Sequence, residues 1–304
     1  MYVHVPYVSR GRAGPGRPGS TVLLTSLRAA LLCLVLLLTG CGGGSGEGAG
    51  AGAGAGETSR AGPVVRPPDA GDPFDYQLGG PYDLPAGVST VVRDRTAAPA
   101  PGAYSICYVN AFQAQPDAVG WWRKHHPDLL LRDADHALVV DEEWDEPLLD
   151  IRTADRRRRL AGIVGGWIDG CADRGFDAVE ADNLDSYLRS DGLIGRGQAI
   201  AFARRLATRA HHAGLALGQK NAAEMTGAGD SVGFDFAVAE ECARYDECGA
   251  YARAYDDVVL VVEYRKEDFV RACRQWGKRL SVLLRDRDLE PAGRAGHVVA
   301  RCHE

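Results

Sequence analysis

Segment 178–187, AVEADNLDSY, places four carboxylate or amide side chains directly after a short apolar run. These side chains belong to Glu180, Asp182, Asn183 and Asp185. Carboxylates are seldom placed beside a protein core unless they have partners or a chemical task. In parallel α/β proteins, ligands bind at the carboxyl ends of the strands. The segment therefore predicts a buried strand that ends in catalytic or ligand-binding groups.

The surrounding sequence predicts the elements that position these groups. Apolar residues recur at helical spacing over 160–171, and Gly175 then provides a stop signal. Helical patterns also cover 200–212 and 267–276. Eight strand-like runs occur along the chain, at 74–78, 90–93, 104–110, 178–182, 215–219, 234–240, 258–263 and 280–284. Because helical stretches separate most of these runs, the order predicts an α/β fold, a (β/α)8 TIM-like barrel in a single domain. An open doubly wound sheet is the alternative, but no GxGxxG fingerprint opens the domain.

Polar side chains at the ends of the predicted strands would converge on one rim of such a barrel. The candidates for substrate binding are Asp75, Gln77, Asp94, Tyr108, Glu180, Asn183, Asp185, Tyr187, Lys220, Asn221, Glu263 and Tyr264. Paired carboxylates without a metal signature favour glycoside hydrolysis, in which one carboxyl protonates the leaving oxygen and the other acts as a nucleophile or base. We therefore expect a polysaccharide substrate, and neither a metal nor a cofactor.

Two other kinds of chemistry remain open at the same positions. Residues 182–185 do not form an EF-hand loop, because Leu184 stands where an oxygen ligand is needed, yet the carboxylates could hold a single Ca²⁺. Lys220 could form a Schiff base, or it could pair with a neighbouring carboxylate or hydrogen-bond a ligand.

The N-terminal part of the chain has the features of a lipoprotein signal. Four Arg precede an apolar run over 29–38, and Leu-Thr-Gly-Cys at Cys41 resembles a bacterial lipobox. The alternative is an ordinary signal with an incidental cysteine. Small residues and Pro dominate the sequence that follows, which is typical of a flexible tether. The predicted organisation is a signal peptide (1–40), a lipidated linker (41–70) and a folded domain (71–304), exported and anchored on the outer face of the bacterial cytoplasmic membrane.

The charge of the chain limits its partners. The formal net charge is −6, and the first 40 residues carry four Arg and no acidic residue, so the mature chain would have a net charge of −10. An acidic surface argues against nucleic acid binding and suits a cationic partner. We expect a monomer.

Six cysteines follow the predicted linker, and export would permit disulfides among them. The predicted pairs are Cys242–Cys248, which flank a loop-like segment, and, as a looser prediction, Cys273–Cys302. Cys107 lies in a strand-like run and Cys171 on an apolar helix face, and we predict that both are buried thiols. A zinc site is not expected, because no CxxC pair or HxxxH-type spacing appears.

Several ordered motifs together resemble the endo-α-1,4-polygalactosaminidase family, glycoside hydrolase family 114, which has a TIM-like barrel. The resemblance runs from about Phe74 to Tyr264, most of the domain. The matching segments are 74–78 (FDYQL), 107–109 (CYV), 145–152 (DEPLLDIR), 175–177 (GFD), 180–187 (EADNLDSY), 220–221 (KN), 234–238 (FDFAV), 240–242 (EEC) with Tyr245 and Cys248, and 263–264 (EY).

The resemblance implies an extracellular hydrolase of α-1,4-linked galactosamine polymers. The two catalytic carboxylates of the family fall on Asp182, in its Glu-x-Asp-Asn motif, and on Glu240, in its Asn-Glu-x-Cys motif. We assign Asp182 as the nucleophile and Glu240 as the general acid/base. Such a polymer is cationic where its amines are free, so acidic side chains such as Glu180, Asp185 or Glu263 could pair with it or, alternatively, orient Lys220.

The chain departs from the family pattern at three positions. Phe74 stands where Trp is usual, Ala239 replaces the usual Asn before the catalytic Glu, and Glu241 replaces a usual Gln. Neither catalytic carboxyl is lost, but the identity of the substrate is affected. The alternatives are a glycosidase of the same fold that acts on another glycan, and a carbohydrate-binding barrel without turnover.

Overall fold

The computed structural model describes residues 64–302, without the side chain of residue 230. These residues belong to one compact unit. The predicted signal peptide, Cys41 and most of the predicted linker lie outside the described residues. Within 64–302, none of the helices combines the length and the apolar character needed to cross a bilayer.

The core of the domain is a curled sheet of nine strands that resembles a TIM barrel. The described residues form eleven strands: β1 (Phe74–Gln77), β2 (Thr90–Asp94), β3 (Tyr104–Asn110), β4 (Val140–Asp141), β5 (Glu146–Pro147), β6 (Ala178–Asp182), β7 (Ala216–Lys220), β8 (Phe236–Glu240), β9 (Val259–Glu263), β10 (Ser281–Arg285) and β11 (Val299–Arg301). The order in the large sheet is β1-β2-β3-β6-β7-β8-β9-β10-β11, and β4 and β5 form a separate hairpin. The eight strands from β1 to β10 are parallel and β11 is antiparallel to β10, so the predicted α/β TIM-like fold is confirmed.

Six α-helices in residues 64–302 connect or flank the strands of the sheet. They are α1 (Val119–His125), α2 (Ala154–Arg174), α3 (Arg196–His212), α4 (Gly229–Val232), α5 (Cys248–Ala254) and α6 (Lys266–Trp276). The three helical patterns in the sequence correspond to α2, α3 and α6. Helix α2 begins after Thr153, whose side chain accepts a hydrogen bond from the Arg156 N–H, and ends at Gly175, which has a left-handed conformation with φ of 88°.

The alternation of side chains along each strand separates two hydrophobic clusters. One set of residues faces the inside of the curled sheet, and it includes Tyr76, Ile106, Phe236, Val238, Val262 and Leu283. The other set packs against the helices, and it includes Val109, Val179, Leu217, Val261 and the buried stripe of α2. Each strand can therefore carry a polar group into the interior at its carboxyl end while its outer face stays apolar.

Gly218 on β7 allows a large ring to fill the inside of the sheet. Its register partner on β8 is Phe236. A Cβ atom on Gly218 would lie 2.7 Å from the Phe236 ring, closer than atoms can pack without a shift. The absence of a side chain at Gly218 thus allows the Phe236 ring to pack directly below the end of β7.

Side chains rather than backbone pairs close the gap between the first and the last strands. Strands β1 and β11 are the two edges of the sheet. Arg301 Nε donates to the Phe74 carbonyl at 2.9 Å, and Arg285 donates to the Tyr76 carbonyl. The buried carboxylate of Asp75 lies 3.7 Å from Arg285 and 3.6 Å from Arg301, and it accepts the Tyr76 N–H at 2.9 Å. We call this group the seam.

Three disulfides are present in the described residues. Cys242–Cys248 and Cys273–Cys302 are the pairs predicted from the sequence. The prediction that Cys107 and Cys171 are buried thiols is wrong, because they are buried but bonded to each other. Cys107 faces outward from β3 and Cys171 lies on the buried stripe of α2, which packs against that face and brings the two Cα atoms to 6.2 Å.

Candidate active site

Four polar side chains from three adjacent strands meet inside the carboxyl end of the sheet. Glu180 and Asp182 are two residues apart on β6 and therefore point to the same side. Lys220 ends β7 and Glu240 ends β8. The parallel strands bring these ends to the same edge of the sheet, and the predicted convergence of these four groups is observed.

Lys220 is the centre of the group. Its Nζ lies 2.8 Å from Glu180 Oε1, 3.5 Å from Asp182 Oδ1 and 3.3 Å from Glu240 Oε2. Burial alone would lower the pKa of Lys220, but the three carboxylates outweigh it and hold that pKa well above its ordinary value. A Schiff base requires the neutral amine, so this arrangement favours a fixed ammonium over the nucleophilic lysine considered from the sequence.

Glu180 forms the closed floor of the site. Its side chain is fully buried, and its Oε1 accepts hydrogen bonds from the Tyr76 hydroxyl at 2.6 Å and from Lys220 at 2.8 Å. Burial raises the pKa of Glu180, and the neighbouring Lys220 opposes that rise. Its other oxygen, Oε2, has no hydrogen-bond partner among the described residues. Glu180 therefore binds Lys220 at the closed end of the site rather than facing a ligand.

Asp182 and Glu240 retain access to solvent and are each held by a tyrosine. Their side chains are 19% and 15% exposed, whereas that of Glu180 is 0% exposed. The Tyr108 hydroxyl donates to Asp182 Oδ2 at 2.7 Å, and the Tyr264 hydroxyl donates to Glu240 Oε1. Burial raises the pKa of both tyrosines, so they remain hydrogen-bond donors at neutral pH.

Asn221 fixes the second oxygen of Glu240. Its Nδ2 donates to Glu240 Oε2 at 2.9 Å, and its Oδ1 accepts the Glu240 backbone N–H at 2.8 Å. Asn221 has a left-handed conformation with φ of 47°, which turns the chain directly after Lys220. The amide thus orients the carboxyl that ends the next strand.

The two accessible carboxylates are close enough to act on one bond. Both contact Lys220 Nζ, so Asp182 Oδ1 and Glu240 Oε2 are separated by no more than the sum of the two distances, about 6.8 Å. Two carboxyl groups on opposite sides of a glycosidic bond lie about 5–9.5 Å apart in glycosidases. The geometry is therefore compatible with glycoside hydrolysis.

Residues 55–304 match the sequence profile of glycoside-hydrolase family GH114. The chain belongs to this family. It is thus a glycoside hydrolase, as the resemblance in its motifs predicts. No curated protein matches the chain in sequence.

Two solved structures have the fold of this GH114 domain. Ega3 of Aspergillus fumigatus, crystallised in complex with galactosamine, is 23% identical, with a TM-score of 0.64, and the match covers 79% of this chain and 98% of that one. The glycoside hydrolase domain of PelA from Pseudomonas aeruginosa is 14% identical, with a TM-score of 0.51 and coverage of 74% and 97%. At these identities the similarity shows a shared fold.

Amide and acidic side chains form a layer around Asp182 of the GH114 domain. The sequence did not predict these side chains as a group. Asn183, in a left-handed conformation with φ of 63°, donates from Nδ2 to Asn110 Oδ1 at 3.1 Å and to Glu146 Oε2 at 3.3 Å. Arg189 donates to Asn183 Oδ1 at 3.3 Å. Protein partners therefore hold both ends of the Asn183 amide.

Glu146 is one of the site residues that sequence reasoning missed, as are Tyr76 and Arg189. It lies in segment 145–152, which carries the family resemblance, but the β4–β5 hairpin has two-residue strands with no recognisable period. Since the hairpin is not a strand of the large sheet, a search of strand ends does not reach Glu146. The signal that could have found it is an acid in a family motif without an assigned role.

Besides Asn183, six of the predicted substrate-binding residues contact neither Lys220 nor the carboxylates of Glu180, Asp182 and Glu240. Asp75 belongs to the seam, and Gln77 accepts from Arg93 Nε at 2.9 Å. Asp94 accepts the Thr96 N–H at 2.8 Å and closes a turn. The remaining three are Asp185, which pairs with Arg189 at 2.7 Å, Tyr187, which donates to Glu224, and Glu263, which accepts the Ala243 N–H at 2.8 Å.

Glu263 points away from the inside of the sheet and toward a disulfide. Ligand atoms of Cys242, Cys248 and Glu263 all lie within 4.8 Å of one another. The two sulfurs are bonded to each other, so they offer no thiolate to a metal ion. Burial raises the pKa of Glu263 to about 7, and the hydrogen bond from the Ala243 N–H and the charge of Arg271 oppose this rise only in part.

Proposed function

We propose that the chain hydrolyses glycosidic bonds in an α-1,4-linked, galactosamine-containing polysaccharide, with Asp182 as the nucleophile and Glu240 as the general acid/base. The observation that carries this proposal is the pair of accessible carboxylates on either side of Lys220. Membership of GH114 supplies the reaction class.

We propose a retaining course. The limit of about 6.8 Å between Asp182 Oδ1 and Glu240 Oε2 admits the separation of about 5–5.5 Å that retaining enzymes use. In a retaining reaction Asp182 attacks the anomeric carbon while Glu240 gives its proton to the leaving oxygen. Glu240 then takes a proton from water, which releases the sugar from Asp182.

The neighbouring side chains suit these roles. Tyr108 holds one oxygen of Asp182 and leaves the other toward Lys220, while Tyr264 and Asn221 fix the plane of the Glu240 carboxyl. Such fixed donors contribute to catalysis because they need no reorganisation during the reaction.

The choice of sugar rests on charge and similarity. Ega3, which shares the fold, was crystallised with galactosamine. A net charge of −10 for the mature chain suits a polymer that carries free amines. Ala239, in place of the family's usual Asn, removes one side-chain contact and keeps both carboxyls.

Paired variants test the roles of the two carboxylates. In Asp182→Asn and Glu240→Gln, turnover of an aryl α-galactosaminide should fall by about 10³-fold or more. Azide should restore turnover of Glu240→Gln and give a glycosyl azide of retained configuration, because azide needs no general base to attack the covalent intermediate. Glu142→Gln, which changes an exposed acid, is the matched control and should keep full activity. Rescue of Asp182→Asn with retained configuration would reverse the assignment.

Release of reducing ends tests the polymer. Partly deacetylated α-1,4-galactosaminogalactan should yield new reducing sugars with the wild type and none with Glu240→Gln. Binding of this polymer without release of product would reject the proposal that the protein hydrolyses it. A panel of other glycans would then identify the substrate.

We also propose that the protein is exported and anchored through a lipid on Cys41. Three disulfides in the described residues are typical of exported proteins. Cys41→Ser should move the protein from the detergent phase to the aqueous phase in a partition experiment. An unchanged distribution would reject the anchor.

A further inference from the structure

Glu146 is a carboxylate that the hairpin β4–β5 delivers to the edge of the active site. It is 6% exposed, so more than nine-tenths of it is buried. Its Oε2 accepts hydrogen bonds from Asn110 Nδ2 at 2.7 Å and from Asn183 Nδ2 at 3.3 Å. Both donors are neutral amides, which orient the carboxylate without neutralising it.

The two amides place Glu146 beside the proposed nucleophile. Asn183 follows Asp182 directly in the chain, and Asn110 is the register partner of Asp182 on the adjacent strand. The negative charge of Asp182 is also among the influences that raise the pKa of Glu146. Glu146 therefore lies within electrostatic range of Asp182.

Glu146 differs from the other acids of this region in having no cation partner. Lys220 contacts Glu180, Asp182 and Glu240. Arg189 pairs with Asp141 and Asp185, at 2.6 and 2.7 Å. Among residues 64–302, no Lys or Arg nitrogen lies within 4 Å of the Glu146 carboxylate, and its Oε1 accepts no hydrogen bond.

A buried carboxylate that has hydrogen bonds but no ion pair favours binding of a cation. Burial raises the pKa of Glu146 to about 7 in the free protein; the charges of Asp182 and Asp141 add to this rise, and the Asn110 hydrogen bond and the charge of Arg189 oppose it. An ammonium group beside it would stabilise the ionised form and be stabilised by it in turn. A neutral acetamide would leave the carboxylate without a countercharge.

We infer that Glu146 is a specificity-determining residue, which recognises the ammonium of an amino sugar bound next to Asp182 and favours a free amine over an N-acetylated one. The inference rests on the proposed function, because it places the sugar at the Asp182–Glu240 pair. The acids that the sequence offered for this task have other contacts: Glu180 binds Lys220, Asp185 binds Arg189, and Glu263 faces the disulfide.

Binding of monosaccharides tests the inference without requiring turnover. Calorimetry at pH 7 would compare galactosamine with N-acetylgalactosamine on the wild type, Glu146→Gln and Glu142→Gln. Glutamine keeps an acceptor for Asn110 and Asn183 and removes the charge. The wild type and Glu142→Gln should prefer galactosamine, and Glu146→Gln should lose about tenfold of that preference. An unchanged thermal midpoint of Glu146→Gln would show that the fold is intact.

The possible outcomes distinguish an error in this inference from an error in the proposed function. Equal preference in the wild type and Glu146→Gln would overturn the inference, as would a wild type that binds neither sugar or both equally. A uniform loss of affinity for both sugars would assign Glu146 a purely structural role and would also overturn it. Polymer hydrolysis is measured separately, so a wild type that selects galactosamine but releases no product would reject the proposed function and support the role of Glu146.

Discussion

At the scale of single residues, the site depends on one ammonium among three carboxylates. Lys220 is 3% exposed and compensates charge on Glu180, Asp182 and Glu240 at once. A buried ion of this kind is costly to leave unpaired, which makes the charges of the site interdependent. Removal of the lysine should therefore affect both stability and catalysis.

Lys220→Met is predicted to reduce kcat by about 100-fold or more, because the carboxylates lose the charge that holds them in position. The free energy of unfolding should fall by about 3–5 kcal/mol, since three buried or partly buried acids lose their counter-ion. Turnover and urea denaturation measure the two effects. Lys278→Met, at an exposed lysine, is the control and should change neither. Wild-type kcat in Lys220→Met would contradict the proposed role.

The raised pKa of Glu263 predicts that the stability of the fold depends on pH, independently of catalysis. Its pKa is about 7 in the folded protein against 4.5 ordinarily, so the folded state binds the proton more tightly. The resulting stabilisation is fully present below about pH 4.5 and is lost as pH rises through about 7, with an amplitude of about 3 kcal/mol.

Denaturation of Glu263→Gln across this pH range tests the prediction. The variant should lack the decline, so its unfolding free energy relative to wild type should increase between pH 4.5 and pH 8. Glu142→Gln, which removes an exposed carboxyl, should follow the wild type. Parallel curves for Glu263→Gln and wild type would show that Glu263 is not the group that titrates.

At the scale of elements, close packing at the strand ends determines where the polar groups lie. Gly218→Ala should lower the free energy of unfolding by about 1–3 kcal/mol, because the added methyl would overlap Phe236 on the neighbouring strand. Gly166→Ala, at an exposed position of α2 with open space around it, should be neutral or stabilising by up to about 1 kcal/mol. Thermal denaturation of the two variants compares them, and equal midpoints would contradict the packing argument.

The disulfide between β3 and α2 joins a strand to the helix that covers it. The double variant Cys107→Ala, Cys171→Ala should be less stable by about 2–4 kcal/mol, because the bond closes a long loop in the unfolded chain. Its kcat should remain at the wild-type value, since the bond lies on the outer face of the sheet. Chemical denaturation and steady-state kinetics measure both quantities. Unchanged stability would indicate that packing alone holds α2 in place.

Sequence periodicity predicted the elements that carry the site, but not the contacts between distant segments. The eight parallel strands follow from apolar runs, and Ala178–Asp182 and Tyr104–Asn110 have the predicted bounds. Strand β11 was missed because it has three residues and pairs antiparallel at an edge. Glu146 and the Cys107–Cys171 bond were missed because each depends on how a helix or hairpin packs against the sheet, which local patterns do not encode.

The same limit applies to the individual site residues. Lys220, Asp182 and Glu240 could be placed together because parallel strands end at one edge. The partners of Asp75 and Asp185 could not be foreseen, since arginines far along the chain or one turn away neutralise them. Acids at strand ends are thus a good guide to the rim and a poor guide to which acids face the ligand.

At the scale of the whole molecule, the sheet curls into a barrel whose circumference includes one join made by side chains. The guanidinium groups of Arg285 and Arg301 reach the carbonyls of β1, and Asp75 lies between them. Backbone ladders hold the other neighbouring pairs of strands. The free energy that keeps β1 in place is therefore distributed differently from that of the central strands.

Because of this arrangement, we expect local opening of the barrel to occur at the seam. Amide hydrogens of 74–77 should exchange with deuterium sooner than those of 178–182 and 216–220, because local opening there breaks fewer backbone pairs. Arg301→Met should accelerate exchange in 74–77 and leave the central strands unchanged, and equal protection in all three segments would contradict this. Since Tyr76 extends from β1 to Glu180 and Lys220, each opening of the seam also removes part of the active-site floor.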